Sequence, residues 1–302
     1  MDNTVVFYTT NMGSIPVRRT IIFLLFLLFS SVVIAKKPVA PPAPVARAVL
    51  LFDRKTMTVK EALNINEVMP IASVSKLMTV YVVLESRADL DEVITVTSQK
   101  MYSSRVLSAG MKVTRRELIN MALIASDNYA AKLLAVSHPE GYEMFIGEMN
   151  ATAQRLKMYN TMYIEPSGLL PNTSTAWDQH LLNRALGKYT VFTEAAMSKS
   201  AETDAHTKKG LWKRFVIYNT SAFAGQYDIK VGKTGFTNPA GWCISMTIKH
   251  KDREFDLIVL GSPSKKVRNT LVAEKLKDYM SNITANSVVF KIEEMEPYTD
   301  PL

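Results

Sequence analysis

The run "SVSKLMTVYVVLE" at residues 73–85 leaves little choice about the body that must surround it. It is too long and too apolar for an ordinary strand, so despite its valines it reads as a buried helix. A helix that is apolar all round needs other layers of structure against it. The rest of the chain supplies candidates. "RAVLLFDR" (47–54), a short apolar run bounded by charges, predicts a first strand. "TRRELINMALIASDN" opens with Thr114 and Glu117 in capping-box spacing and returns Leu118, Ile119, Ala122 and Leu123 at helical period. "NYAAKLLAV" and "EGYEMFIGEMNATAQRLKM" extend the helical pattern to Met158. The pattern then changes. "WCISMTI" (242–248) and "EFDLIVLG" (254–261), joined by "KHKDR", predict a strand hairpin, and "KVRNTLVAEKLKDYM" (266–280) a closing amphipathic helix. Strands at both ends with helices between them predict an α+β domain over 47–283, an antiparallel sheet flanked by helices with an inserted helical region.

Composition and the ends of the chain narrow the setting. With 302 residues, 47% of them hydrophobic, and a mean hydropathy of +0.03, the chain is a packed globular protein rather than a disordered one. Arg18 and Arg19 precede an apolar run over 21–35, with Val33 and Ala35 where a signal peptidase wants small residues. Residues 1–35 therefore read as a secretory signal cleaved after Ala35, which predicts an exported protein. An uncleaved membrane anchor is the alternative, although a spanning helix needs about 20 apolar residues. "KKPVAPPAPVA" (36–46) is an extended, proline-rich linker, and 284–302 a tail too short for a second domain. The formal charge of +8 would suit an anionic partner, but Lys and Arg are scattered without an aromatic-basic motif, so no nucleic-acid partner is expected. The single cysteine, Cys243, lies in a strand-like run and predicts a buried structural thiol. The four histidines show no metal-ligand spacing, and neither metal nor cofactor is expected.

The chemistry begins at Ser73 and Lys76. On a helix, residues three apart share a face with Cβ atoms about 5–6 Å apart, so the amine can reach the hydroxyl. A serine hydroxyl is a weak nucleophile until a neighbour takes its proton, and a lysine can do that only when neutral, which requires burial or a second cation to lower its pKa. The same spacing recurs at Ser262 and Lys265, which read as a loop before the last helix, so the pair alone is weak evidence. Two further groups strengthen it. "ASDNYA" supplies Ser126 and Asn128 at a junction between helical patterns, and "VGKTGFTNPAG" supplies Lys233, Thr234 and Gly235 just before the hairpin. Ser126 can relay a proton to a leaving amine, and Asn128 can hold a peptide carbonyl and touch Lys76. Lys233 would depress the pKa of Lys76 and attract a carboxylate, with Thr234 and Thr237 offering hydroxyls. Gly235 would let a peptide lie against the strand edge. The backbone N–H groups of Ser73 and Phe236 are candidate oxyanion donors. Asp127 reads as a cap for the next helix and stays outside the set.

SxxK, SDN and KTG in this order resemble the β-lactamase and penicillin-binding protein set. "PIASVSKLMT", "ASDNYAAKLLA", "EPSGLLPNTSTAWD" and "VGKTGFTNPAGWC" are similar to the low-molecular-mass penicillin-binding proteins, the D-alanyl-D-alanine carboxypeptidases and endopeptidases. "KMYSSRVLSAGMKVTRRELINMALIASDN" and "GYEMFIGEMNATAQRLKM" most resemble the endopeptidase branch, the penicillin-binding protein 7 type. The resemblance implies a β-lactamase/transpeptidase-like fold and a periplasmic serine DD-peptidase acting through an acyl-enzyme at Ser73. Its substrates would be peptidoglycan peptides and its covalent inhibitors β-lactams. It departs from the family at Trp177, where arginine is usual, and over 178–232, differences expected to alter the substrate groove. A carboxypeptidase is the first alternative. A class A β-lactamase would need an activating glutamate, for which only Glu165 is placed, in a peptidase-type segment. An inactive peptidoglycan-binding or regulatory protein would not need the nucleophile, and a Ser/His/Asp hydrolase lacks its GxSxG.

Overall fold

The computed structural model describes residues 45–98, 102 and 104–283. The signal-like segment, most of the proline-rich linker and the 284–302 tail lie outside these residues. In chain order the elements are β1 (Ala48–Asp53), β2 (Thr58–Leu63), β3 (Met69–Pro70), a 3-10 turn (Ala72–Ser75) and α1 (Lys76–Glu85). There follow β4 (Val93–Thr95), β5 (Lys112–Thr114), α2 (Arg115–Leu123), α3 (Asn128–Val136), α4 (Tyr142–Arg155), β6 (Thr173–Ser174) and α5 (Ala176–Leu186). The chain continues through α6 (Thr190–Met197), β7 (Ser200–His206), β8 (Trp212–Tyr218), β9 (Asp228–Thr237), β10 (Gly241–His250), β11 (Arg253–Ser262) and α7 (Lys265–Asn282).

The apolar runs of β1, β10 and β11 have a simple cause: the sheet they form is covered on both faces, so neither alternate set of side chains meets water. The five strands stand in the order β2-β1-β11-β10-β9, and every neighbouring pair is antiparallel. Period-2 alternation divides their side chains between two cores. Val49 and Leu51 of β1, Ile244, Met246 and Ile248 of β10, and Phe255, Leu257 and Val259 of β11 pack with Leu271, Val272 and Leu276 of α7. Ala48, Leu50, Phe52, Ile258 and Leu260 face the other way, into the large core built on α1 to α5. Each fully buried aliphatic side chain contributes about 1.5–3 kcal/mol, so both layers are needed to hold the sheet between them. Residues 76–83 of α1 are all buried, as its composition requires.

The start of α2 follows its capping box. Thr114 Oγ1 accepts from the Glu117 N–H, and Glu117 Oε2 accepts from the Thr114 N–H at 2.9 Å. Glu117 Oε1 also accepts from the Asp204 N–H at 2.8 Å and so ties α2 to β7. The helical reading to Met158 overshoots, since α4 ends at Arg155 and Lys157 turns left-handed at φ 62°. Two larger corrections concern strands. Lys233, Thr234 and Gly235 precede the hairpin as expected, but they lie within a strand that the sequence reading did not assign, β9, which pairs with β10. The inserted region is not purely helical either: it carries a second sheet in the order β4-β5-β7-β8 and the small pair β3-β6. No helix among the described residues is long and apolar enough to cross a membrane.

Candidate active site

Ser73 is the one residue of 71–83 that is not buried. It sits in the 3-10 turn that leads into α1, a turn opened by Ala72 at φ 48° and closed by Ser75 Oγ donating to the Ala72 carbonyl at 2.8 Å. Lys76, the first residue of α1, is fully buried. Its Nζ lies 2.8 Å from Ser73 Oγ, 2.7 Å from Asn128 Oδ1 and 2.6 Å from the Ser167 carbonyl. Three acceptors match the three donors of an ammonium, yet burial pulls the Lys76 pKa down to about 7, against the negative charges of Glu165 and Asp127, which push it up. Of the two causes the sequence offered, burial and a second cation at Lys233, burial is the one at work.

Lys233 has a different partner. Its buried Nζ donates to Ser126 Oγ and to the Thr234 carbonyl, both at 2.9 Å. Burial, then the positive charges of Lys76 and Arg268, hold its pKa well below the lysine range. Ser126 is in the left-handed region at φ 57°, a conformation costing about 1–3 kcal/mol in a non-glycine residue. The junction is held by the Asp127 N–H, which donates to the Met121 carbonyl at 3.0 Å. Asp127 Oδ1 accepts from the Ala130 N–H at 2.9 Å and caps α3, as expected.

Gly235 presses β9 against the nucleophile's turn. A Cβ there would stand 2.8 Å from the Ile71 carbonyl oxygen and 3.0 Å from the Ser73 nitrogen. The protein's own backbone therefore requires a glycine here. The same close packing on the other side comes from "EPSGLLPN": a Cβ on Gly168 would fall 1.9 Å from the Ala72 carbonyl oxygen. Glu165 is buried in this segment and its Oε2 accepts from Tyr102, from the Ser167 N–H at 2.9 Å and from Ser167 Oγ at 2.6 Å. Its Oε1 has no partner among the described residues.

Ser73, Ser126, Thr220, Thr234, Gly235, Phe236, Trp242, Lys265 and Arg268 line a cleft of about 280 Å³. Thr234 and Thr220 share a hydroxyl hydrogen bond of 2.7 Å. Phe236 stacks on Trp242 with ring centroids 4.3 Å apart. Arg268 is almost wholly buried, donates to the Cys243 carbonyl at 3.1 Å and to Asn269 Oδ1, and has its pKa pulled down to about 10 by burial. Cys243 is buried as expected, and burial pushes its thiol up to about 11. Thr237 does not line the cleft; its Oγ1 accepts from the Ala240 N–H at 3.3 Å in the hairpin turn. Trp177 is also outside the cleft lining, packed against Phe52 and His180. Ser167, Thr220 and Arg268 escaped the sequence reading. A carbonyl ligand has no side-chain signature, and Arg268 is hidden in the periodic pattern of α7.

Residues 35–264 match the peptidase family S11, D-alanyl-D-alanine carboxypeptidase. Fold and catalytic class thus agree: the chain belongs to this family of serine DD-peptidases. It is 35% identical to a D-alanyl-D-alanine endopeptidase of Pseudomonas aeruginosa over 78% of this chain and 81% of that one. It is 34% identical to the endopeptidase of Escherichia coli over 72% of each. The fold matches the Streptomyces K15 DD-transpeptidase with a TM-score of 0.72 at 26% identity, covering 80% of this chain and 99% of that one. It also matches penicillin-binding protein D2 of Listeria monocytogenes, in its ampicillin-bound form, with a TM-score of 0.67 at 26% identity, over 80% and 99% of the two chains.

Proposed function

We propose that this protein is a periplasmic D-alanyl-D-alanine endopeptidase that cuts peptidoglycan cross-links through an acyl-enzyme on Ser73. The observation that carries the chemistry is the buried Lys76 amine 2.8 Å from Ser73 Oγ, with a pKa of about 7. Neutral Lys76 takes the Ser73 proton as Oγ attacks the D-alanine carbonyl, and the N–H groups of Ser73 and Phe236 hold the oxyanion. Ser126, whose Oγ accepts from Lys233 at 2.9 Å, relays the proton from Lys76 to the leaving amine as the C–N bond breaks. Water then attacks the ester, neutral Lys76 takes its proton, and Lys76 returns that proton to Ser73 Oγ as the ester C–O bond breaks. Asn128, with its oxygen on Lys76, has its NH2 for a substrate carbonyl. Thr234, Thr220 and Arg268 beside Lys233 suit the carboxylate on the leaving residue.

The endopeptidase choice is supported by the relatives from Pseudomonas and Escherichia coli. Export is supported by the signal-like segment, and covalent capture of β-lactams by the likeness to an ampicillin-bound protein. Mass spectrometry after incubation with penicillin and with cross-linked muropeptide dimer tests the reading. A stable adduct on Ser73 and conversion of dimer to monomer are expected, both lost in Ser73→Ala. Release of terminal D-alanine with dimer left intact would make it a carboxypeptidase, and an adduct surviving in Ser73→Ala would overturn the mechanism.

A further inference from the structure

The cleft does not end at Ser126. Ser126 and Thr220 also line a second, larger recess of about 620 Å³. Its lining includes Arg105 and Val106, from the segment before β5, and Val216 and Tyr218, from β8. Among the described residues β8 is an edge strand, paired only with β7. Val216 and Tyr218 share one face of it and are 52% and 70% exposed. Arg105 is exposed and has no acidic partner among the described residues. Asp127 lines the same recess; its carboxylate accepts from the Ala130 N–H and the Ser104 hydroxyl and makes no ion pair with Arg105 among the described residues.

Ser126 marks where the departing amine must lie, and the two leaving groups open to a DD-peptidase differ in the size of the group attached to that amine. A terminal D-alanine ends at its carboxylate, within the 280 Å³ cleft. The leaving half of a cross-link carries a whole stem peptide, which has to run outward from Ser126. We propose that the groove between Arg105 and β8 is the subsite for this leaving strand, with Arg105 pairing with a carboxylate of the departing peptide and Val216 and Tyr218 packing on its apolar parts. The assignment rests on the endopeptidase reading. Its support is continuity with the cleft through Ser126 and Thr220, an exposed cation with no ion pair among the described residues, and apolar side chains side by side on an edge strand.

The test compares three substrates on the purified protein: a cross-linked muropeptide dimer, a monomeric D-Ala-D-Ala stem peptide, and penicillin. Arg105→Glu and Tyr218→Ala alter exposed side chains and leave the fold intact by thermal melting. Each is expected to lower kcat/KM on the dimer about tenfold, chiefly through KM, the loss typical of a contact at the centre of an interface. Penicillin acylation and D-alanine release from the monomer stay unchanged. Wild-type cleavage of the dimer with equal kcat/KM in both variants would overturn the groove assignment alone. A wild-type protein that trims the monomer and leaves the dimer whole would overturn the endopeptidase reading and the groove with it.

Discussion

Lys76 has to satisfy two opposed requirements. Its three acceptors favour the ammonium, while its role as base needs the free amine. Burial moves its pKa down to about 7, and the carboxylates of Glu165 and Asp127 limit the fall. Above that pH the neutral amine dominates and can accept a proton. Below it Lys76 is already protonated and Ser73 keeps its own. The second-order rate of penicillin acylation should therefore rise with pH through about 7. Glu165→Gln keeps acceptors for Tyr102 and Ser167 but removes one charge that raises this pKa, so the midpoint should move to lower pH, read from the acylation profile. An unmoved midpoint would show that Lys76 does not feel that carboxylate. The SxxK spacing made the Ser73–Lys76 contact legible in the sequence, but not what holds the amine: the Ser167 carbonyl reaches it from a loop 91 residues away.

At the scale of elements, the site is an arrangement of backbones pressed together with no room for side chains. β9 meets the Ser73 turn at Gly235, where an added Cβ would lie 2.8 Å from one backbone atom and 3.0 Å from another. Gly235→Ala must push β9 away from the nucleophile. Because displacement of about 1 Å can cost about a hundredfold in rate, acylation should fall by that order while the protein remains folded by circular dichroism. Near-normal acylation would mean that the strand can shift freely. The motif showed that a glycine stands here, but the reason for it needed the packing. Elements were legible where one pattern governed their burial, the helical period in α2 and the continuous apolar run in β10 and β11. The stretch from α5 to β8 was not. α5 buries Asp178, Gln179, His180 and Asn183, which breaks its apolar pattern, and β8 exposes Trp212, Val216 and Tyr218, which conceals its outer face.

Across the whole molecule, the central sheet separates two cores, and a buried polar junction joins the sheet to the helical side. Asp256 on β11 accepts from Arg54 Nε and Nη2 at 2.9 and 2.8 Å, from Thr247 Oγ1 of β10, and lies 2.6 Å from His180 Nδ1 of α5. Asp256 and His180 are buried, so the carboxylate is held by partners rather than by water. Burial would raise its pKa, but the hydrogen bond from His180 and the charge of Arg54 outweigh it and leave the carboxyl below the ordinary aspartate value. A pKa lowered on folding means that the stabilisation is complete above the unfolded value of about 4 and disappears as pH falls through the folded one. Removing one partner of such a buried group costs about 3–5 kcal/mol, which corresponds to roughly 10 °C in a domain of this size. Asp256→Ala should therefore melt roughly that much lower at pH 7, and the gap to wild type should narrow as the pH falls below about 4 and on through the lowered folded value, where the wild-type carboxylate becomes protonated. Penicillin acylation well below the melting temperature should survive, because none of Arg54, Thr247 and His180 lines the cleft. Equal melting temperatures at pH 7 would show that apolar packing on the two faces joins sheet to helices without this junction. A gap that stayed constant into acid would show that shape, not charge, is what Asp256 provides.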